Sequence, residues 1–278
     1  MRYQDILLHL TDDQRSAEKA RTALALAKQF GARLTALYTL PRPQQLYYMG
    51  EYVPVEYYQQ QADEAKKAAA VVRQTFEAAA QQAEVAYTWI ETELPPLEAM
   101  LEEGRHADLA VIGQPDLESP GAAPGILGIA GLPADLALTL GRPVLVVPYA
   151  GAYPAPGKIV MVAWNASREA ARAVHDALPL LTRAHKVIVF GINPDAAATV
   201  SANALVAHLQ RHGVAVESRH TVTGDLPAGD ALLSALADNG ADLLVMGAYG
   251  HSRLREMVLG GVTETVLDSM TVPVLLAN

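Results

Sequence analysis

The sequence predicts an α/β protein made of two doubly wound parallel-sheet domains, and three observations lead there. The chain contains two copies of one unit: DILLHL near the start recurs as KIVMVA, setting Asp5 against Lys158 at an offset of 153 residues. Continuous aliphatic runs such as LAVIG and LLVMG alternate with amphipathic stretches, the pattern of parallel strands covered by helices on both faces. The Pro- and Gly-containing segment PYAGAYPAPGK then reads as the joint between copies, giving domains over residues 1–150 and 157–278.

Each copy reads strand, helix, strand, helix, strand, helix, strand, loop, helix, strand. The helical SAEKARTALALAKQFG is echoed by SREAARAVHDALPLL, and ARLTALYTL by HKVIVFGIN. HADLAVIG pairs with GADLLVMG, and RPVLVVP with VPVLLAN. Right-handed crossovers between parallel strands restrict such a unit to a doubly wound sheet. The first copy alone carries the insertion PRPQQLYYMGEYVPVEYYQQQ, with Tyr47, Tyr48, Tyr52, Tyr57 and Tyr58, followed by an Ala-rich helix through about Gln82. The tyrosines suit either a partner surface or a lid on their own domain.

Composition narrows the function. The chain has 278 residues, no cysteine and a net charge of −9. Without cysteine there is no thiolate nucleophile, disulfide or Cys-bound zinc, and the expected compartment is the cytoplasm. The acidic balance argues against nucleic acid as a partner. No apolar run reaches the ~20 residues a membrane helix needs, and the N-terminus lacks a signal-peptide pattern. GxSxG does not occur, and no catalytic constellation is expected. His208 and His212 lie four residues apart on a helical stretch, but without an intervening Glu or a third ligand they read as a surface pair, and no metal site is expected.

The chemistry sits in GAYGHSRLREMVLGGVT, which follows the strand DLLVMG. Gly247, Gly250, Gly260 and Gly261 there lie on a strand, a loop and a helix start that opens at Gly260–Gly261. Glycines let backbone approach an anion, and a helix N-terminus presents free N–H groups to it. Glycines also end strands and cap helices for purely structural reasons. The spacing is neither GxGxxG nor a Walker A loop. Between the glycines, His251, Arg253 and Arg255 read as a solvated loop helix with Leu254 and Val258 turned inward.

The interval G-x2-G-x9-G after a strand ending in Met-Gly resembles the nucleotide-binding universal stress proteins. The resemblance is strong from about residue 158 onward and weaker before it. It implies a five-stranded sheet of order 3-2-1-4-5, the adenine nucleotide alpha-hydrolase-like fold, and ATP with Mg as ligand. The implied nucleotide-binding residues are Ala163, Asn165, Gly191, Met246, Gly247, Gly250, Gly260, Gly261, Val262 and Thr263. Two positions depart from the family. Gly261 stands where ATP-binding members carry Ser or Thr, with Thr263 as a substitute hydroxyl, and Asn165 stands where they carry Asp. Asn165 also suits an Asx turn into a helix capped by Ser167.

In the first copy, matching the fourth strands sets Asp116 opposite Gly250, and matching Pro143 with Pro273 sets Ala130 and Gly131 opposite Gly260 and Gly261. The first site is therefore expected to be degenerate, leaving one nucleotide site per chain. The family resemblance further implies that the last strands of the two copies pair as in a dimer, an intramolecular pseudo-dimer, with homodimerisation of the whole chain left open. The expected function is ligand-dependent stress protection or signalling, with at most slow ATP hydrolysis. The rival is a non-nucleotide interaction protein that takes an apolar ligand or a protein partner through the tyrosine segment and the inter-domain surface.

Overall fold

The computed structural model describes residues 2–13, 15–41, 55–115, 131–248 and 261–278. In the first half, β1 (Asp5–Leu10), α1 (Ser16–Phe30), β2 (Arg33–Thr39), α2 (Val55–Ala83) and β3 (Tyr87–Thr92) come first. They are followed by α3 (Pro96–Gly104), β4 (Leu109–Gly113), α4 (Leu132–Thr139) and β5 (Val144–Val147). The second half repeats the pattern with β6 (Ile159–Ala163), α5 (Arg168–Leu181), β7 (Lys186–Ile192), α6 (Ala196–Arg211) and β8 (Val216–Thr221). It closes with α7 (Ala228–Asp238), β9 (Leu243–Gly247), α8 (Val262–Ser269) and β10 (Val274–Ala277).

All ten strands form one sheet of order β3-β2-β1-β4-β5-β10-β9-β6-β7-β8. Within each half the order is 3-2-1-4-5 and every pairing is parallel. The halves meet where β5 and β10 pair antiparallel, with Leu145 opposite Leu275, Val146 opposite Val274 and Val144 opposite Leu276. That register places a pseudo-twofold axis between Leu145 and Leu275, so the self-complementary contact of a symmetric dimer lies inside one chain. Both final strands are fully buried. Burial and mutual pairing remove two apolar edges that would otherwise invite aggregation.

Continuous aliphatic strands demand cover on both faces, and the core divides accordingly. Residues of α1, α2, α5 and α6 pack on one face and those of α3, α4, α7 and α8 on the other. Alternation along each strand serves the two layers: Ile6, Leu8 and Leu10 face the first and Leu7 the second. The same faces are taken by Val160 and Val162 and by Met161. The repeat offset in the first strands is consequently 154, with Ile6 matching Val160, and not 153. A one-residue slip would turn every side chain to the wrong layer. The outer strand β8 carries Glu217, which pairs with Arg219 on the same strand and with Lys186 of β7. Such charges guard an open edge.

The Ala-rich helix ends at Ala83, close to the expected Gln82, and seats on the sheet through Ala69, Phe76 and Ala80. The joint between halves is pinned as well as exposed. The Tyr153 carbonyl accepts from Thr22 Oγ1 at 2.7 Å, and its hydroxyl donates to the Thr271 carbonyl at 2.7 Å.

Candidate functional site

In the second half, Ala163 ends β6, Gly191 lies near the end of β7, and Met246 and Gly247 end β9. These strands are neighbours, so their carboxyl ends form one rim. The chain runs outward from β6 through β7 to β8 and then returns to the far side at β9. That reversal is the topological switch point, where open α/β sheets leave a crevice for ligands.

The turn after β6 is tightly specified. Asn165 Oδ1 accepts from the Ser167 N–H at 3.1 Å, and Ser167 Oγ accepts from the Ala170 N–H at 3.1 Å, the Asx turn and N-cap anticipated from sequence. Ala166 between them adopts a left-handed φ of 58°. This turn leaves Asn165 exposed on the rim. Trp164, which sequence reasoning did not single out, packs half-buried against the core, and its indole N–H donates to Ser201 Oγ at 3.2 Å. Its place immediately before Asn165 was the available signal.

Gly247 has a packing reason of its own. A Cβ there would lie 2.5 Å from the Ala170 backbone nitrogen and 2.6 Å from the Glu169 carbonyl carbon. The close approach is thus between β9 and the start of α5. Gly191 differs, since an added Cβ would meet nothing nearer than 3.8 Å. Met246 is buried in the second layer. The helix begins at Val262 with Gly261 as its N-cap, and no side chain caps it. Thr263 is buried in the first turn, while Glu264 in the same turn is exposed. Gly250 and Gly260 lie outside the described residues, as do His251, Arg253, Leu254, Arg255 and Val258.

The corresponding rim in the first half carries charged side chains. Lys19 from α1 is almost wholly buried, and its ammonium reaches Asp13 Oδ2 at 2.6 Å. A Cβ on Gly113, the last residue of β4, would lie 2.6 Å from Lys19 Cδ. Asp13 also accepts from the Arg15 N–H at 2.7 Å and from Thr11 Oγ1 at 2.5 Å. Burial alone would raise its pKa, but the Lys19 charge and these bonds outweigh that and lower it. Beneath lies His9, buried and within 2.9 Å of Thr39 Oγ1. Burial first, and then the Lys19 charge, push its pKa down to about 3.

Gln114, next along, bridges the halves. Its amide donates to the Leu267 and Asp268 carbonyls at 2.7 and 3.0 Å, and its oxygen accepts from the Tyr149 N–H at 3.1 Å. It thereby satisfies carbonyls at the end of α8, a structural task. Asp116 and Ala130 lie outside the described residues, and Gly131 is the N-cap of α4.

The remaining sequence candidates are separate from either rim. His208 and His212 have ring centroids 4.7 Å apart, and burial followed by the charge of His212 lowers the His208 pKa. Among the described residues no group of three or more ligating side chains could hold a metal. Tyr47, Tyr48 and Tyr52 lie outside the described residues, whereas Tyr57, exposed, contacts Tyr58 edge-on at 5.9 Å. No helix among the described residues is long and apolar enough to cross a membrane.

Fold and rim together define a tandem doubly wound α/β protein with switch-point crevices and a twofold-like seam. The chain belongs to the universal stress protein family, which it matches twice, over residues 2–130 and 157–278. It is similar to the universal stress protein Slr1230 of Synechocystis, 36% identical over 91 residues, covering 33% of this chain and 31% of that protein. A second relative, MJ0577 of Methanocaldococcus jannaschii, is 36% identical over 49 residues, 18% of this chain and 30% of the relative. The chain thus spans about a third of the length of each curated relative it matches. The crystal structure of a universal stress protein from Archaeoglobus fulgidus superposes with a TM-score of 0.72 at 18% identity, covering 99% of this chain and 96% of that one. The fold class expected from sequence is therefore the observed one.

Proposed function

We propose that this universal stress protein binds one adenine nucleotide, ATP or a shorter analogue, in the second half, as a regulatory ligand and not as a substrate. The observation that carries this reading is the rim formed by Ala163, Asn165, Gly191 and Gly247 at the switch point, where a Cβ on Gly191 would meet nothing nearer than 3.8 Å. Gly261, Val262 and Thr263 begin the helix that follows the glycine loop in sequence. Its uncapped first N–H groups suit phosphate oxygens. Glu264 in the same turn and the missing hydroxyl at Gly261 both limit affinity for an anion, so binding is moderate, and Mg accompanies the phosphates. Base recognition falls to backbone near Gly191 and to the amide of Asn165, which both donates and accepts.

Turnover is not part of the role. Neither an arginine finger nor a residue positioned to orient water is evident among the described residues, so any ATP hydrolysis is slow. The nucleotide instead biases conformation and, through it, the choice of a protein partner in the cytoplasm. A thermal unfolding series with ATP and Mg, with AMP, and without ligand tests this. Ligand at 100 times its dissociation constant adds ~2.7 kcal/mol of stability. Gly261→Ser should enlarge the shift by restoring a hydroxyl. An unshifted transition with both nucleotides at millimolar concentration would refute nucleotide binding.

A further inference from the structure

The strand registers give residue equivalences between the halves that do not depend on matching letters. Leu8 pairs with Val111 and Val162 with Val245, each two residues before the glycine that ends β4 or β9. Leu8 therefore corresponds to Val162. Since Leu8 also pairs with Ala36 and Val162 with Val189, Tyr38 corresponds to Gly191.

The contrast at that position is large. A Cβ at Gly191 would sit in ordinary contact with Pro194 and His220 at 3.8–3.9 Å, whereas Tyr38 is fully buried and stacks on Trp89 with ring centroids 5.8 Å apart and planes 22° from parallel. The Tyr38 hydroxyl and the Trp89 indole N–H are both buried, with no hydrogen-bond partner among the described residues. A buried polar atom without a partner is disfavoured in a plain core, where Phe would serve better than Tyr. An aromatic ring with an orphan polar atom, at the rim position where the second half has glycine, has the character of a side chain seated in a binding crevice.

Lys19 repeats the pattern at the switch point itself. In the second half the backbone of Glu169 and Ala170 lies against Gly247. In the first half it is the Lys19 side chain that lies against Gly113, with its ammonium held by Asp13. A buried aliphatic stem and a neutralised charge thus stand in the crevice between β1 and β4.

We propose that the first half's crevice is filled by the protein's own side chains, the Lys19–Asp13 pair at the switch point and the Tyr38 ring beside it. These positions then decide which half accepts a ligand. The ligand named is the adenine nucleotide of the preceding reading, on which this part of the inference rests.

Two measurements on the full chain test it. Acylation of a buried lysine must await local opening. Limiting acetic anhydride followed by mass spectrometry should therefore show Lys19 reacting at least about tenfold more slowly than exposed Lys28, and Asp13→Asn should remove the protection. Lys19 reacting as fast as Lys28 in the parent protein overturns the filling, whether or not any nucleotide binds. Transplanting the fillers gives the second measurement. Gly191→Tyr, with Ala170→Lys as the independent companion, should weaken ATP binding by at least about tenfold while leaving cooperative unfolding intact. ATP bound as tightly by the folded transplants as by the parent overturns the assignment of these positions. Absence of ATP binding by the parent, with Lys19 still protected, would refute the nucleotide reading and leave the filling in place.

Discussion

At the end of β4, Gly113 faces the side chain of Lys19; at the end of β9, Gly247 faces the backbone of α5. One fold has been kept in both halves, with the same strand order and the same assignment of helices to faces, while the contents of the crevice have diverged. The comparison separates two kinds of constraint. Sheet pairing and layer packing must hold in both halves, because the seam joins them into one sheet. The rim answers only to ligand or filler, so Tyr38 and Gly191 can occupy equivalent places without disturbing either core.

The largest expected effect is on what the halves share. Leu275 sits fully buried on the pseudo-twofold axis opposite Leu145. Leu275→Ala should cost about 2–5 kcal/mol in denaturant unfolding. A loss below ~1 kcal/mol would show that the seam contributes little and that the halves are held together by other contacts.

The pH effect of a buried histidine at the first strand should belong to the first half, because the register places Ala163 where β1 has His9. With a folded pKa of about 3, His9 stays neutral while an unfolded chain protonates below ~6.5. Stability is thus fully present above that value and is lost as pH falls towards 3, by ~2 kcal/mol between pH 6.5 and pH 5. Asp13, whose pKa is lowered, adds a further loss as pH falls into and below the usual carboxylate range. His9→Gln should flatten the stability profile between pH 7 and pH 5. An unchanged slope in that variant would assign the acid sensitivity elsewhere.

The two strand-ending glycines should also respond differently. Gly247→Ala drives a methyl into backbone and should cost about 1–3 kcal/mol. Gly113→Ala meets the flexible stem of Lys19 and should cost less. Equal losses would mean that the helix start stands at the same distance in both halves. The smallest effect concerns the caps: α5 has the Ser167 cap, whereas α1 begins at Arg15 without a side-chain bond. Ser167→Ala should cost ~1 kcal/mol and Arg15→Ala almost nothing, by the same unfolding measurement.

Much of this fold could be read from the letters because repetition and aliphatic strands are strong, local signals. The Asn165–Ser167 turn was legible for the same reason, since Asx and cap chemistry act within a few residues. The strand offset was not. LLHL and VMVA look alike in hydrophobicity at 153 or 154, and only pairing with β4 and β9 fixes which face each residue takes. Lys19 was hidden by its type, because a lysine in an amphipathic helix ordinarily faces water and nothing local reveals the space above Gly113. Gln114 carries no local signal either, because its partners at Leu267 and Asp268 are more than 150 residues away.

The most direct test is calorimetric titration of the full chain with ATP and Mg, which counts sites without perturbing either half. The account predicts a stoichiometry near one, abolished by Gly191→Tyr and unaffected by Lys19→Ala. A stoichiometry near two would mean that the first crevice is open despite Lys19 and Tyr38, and would contradict the distinction between the halves.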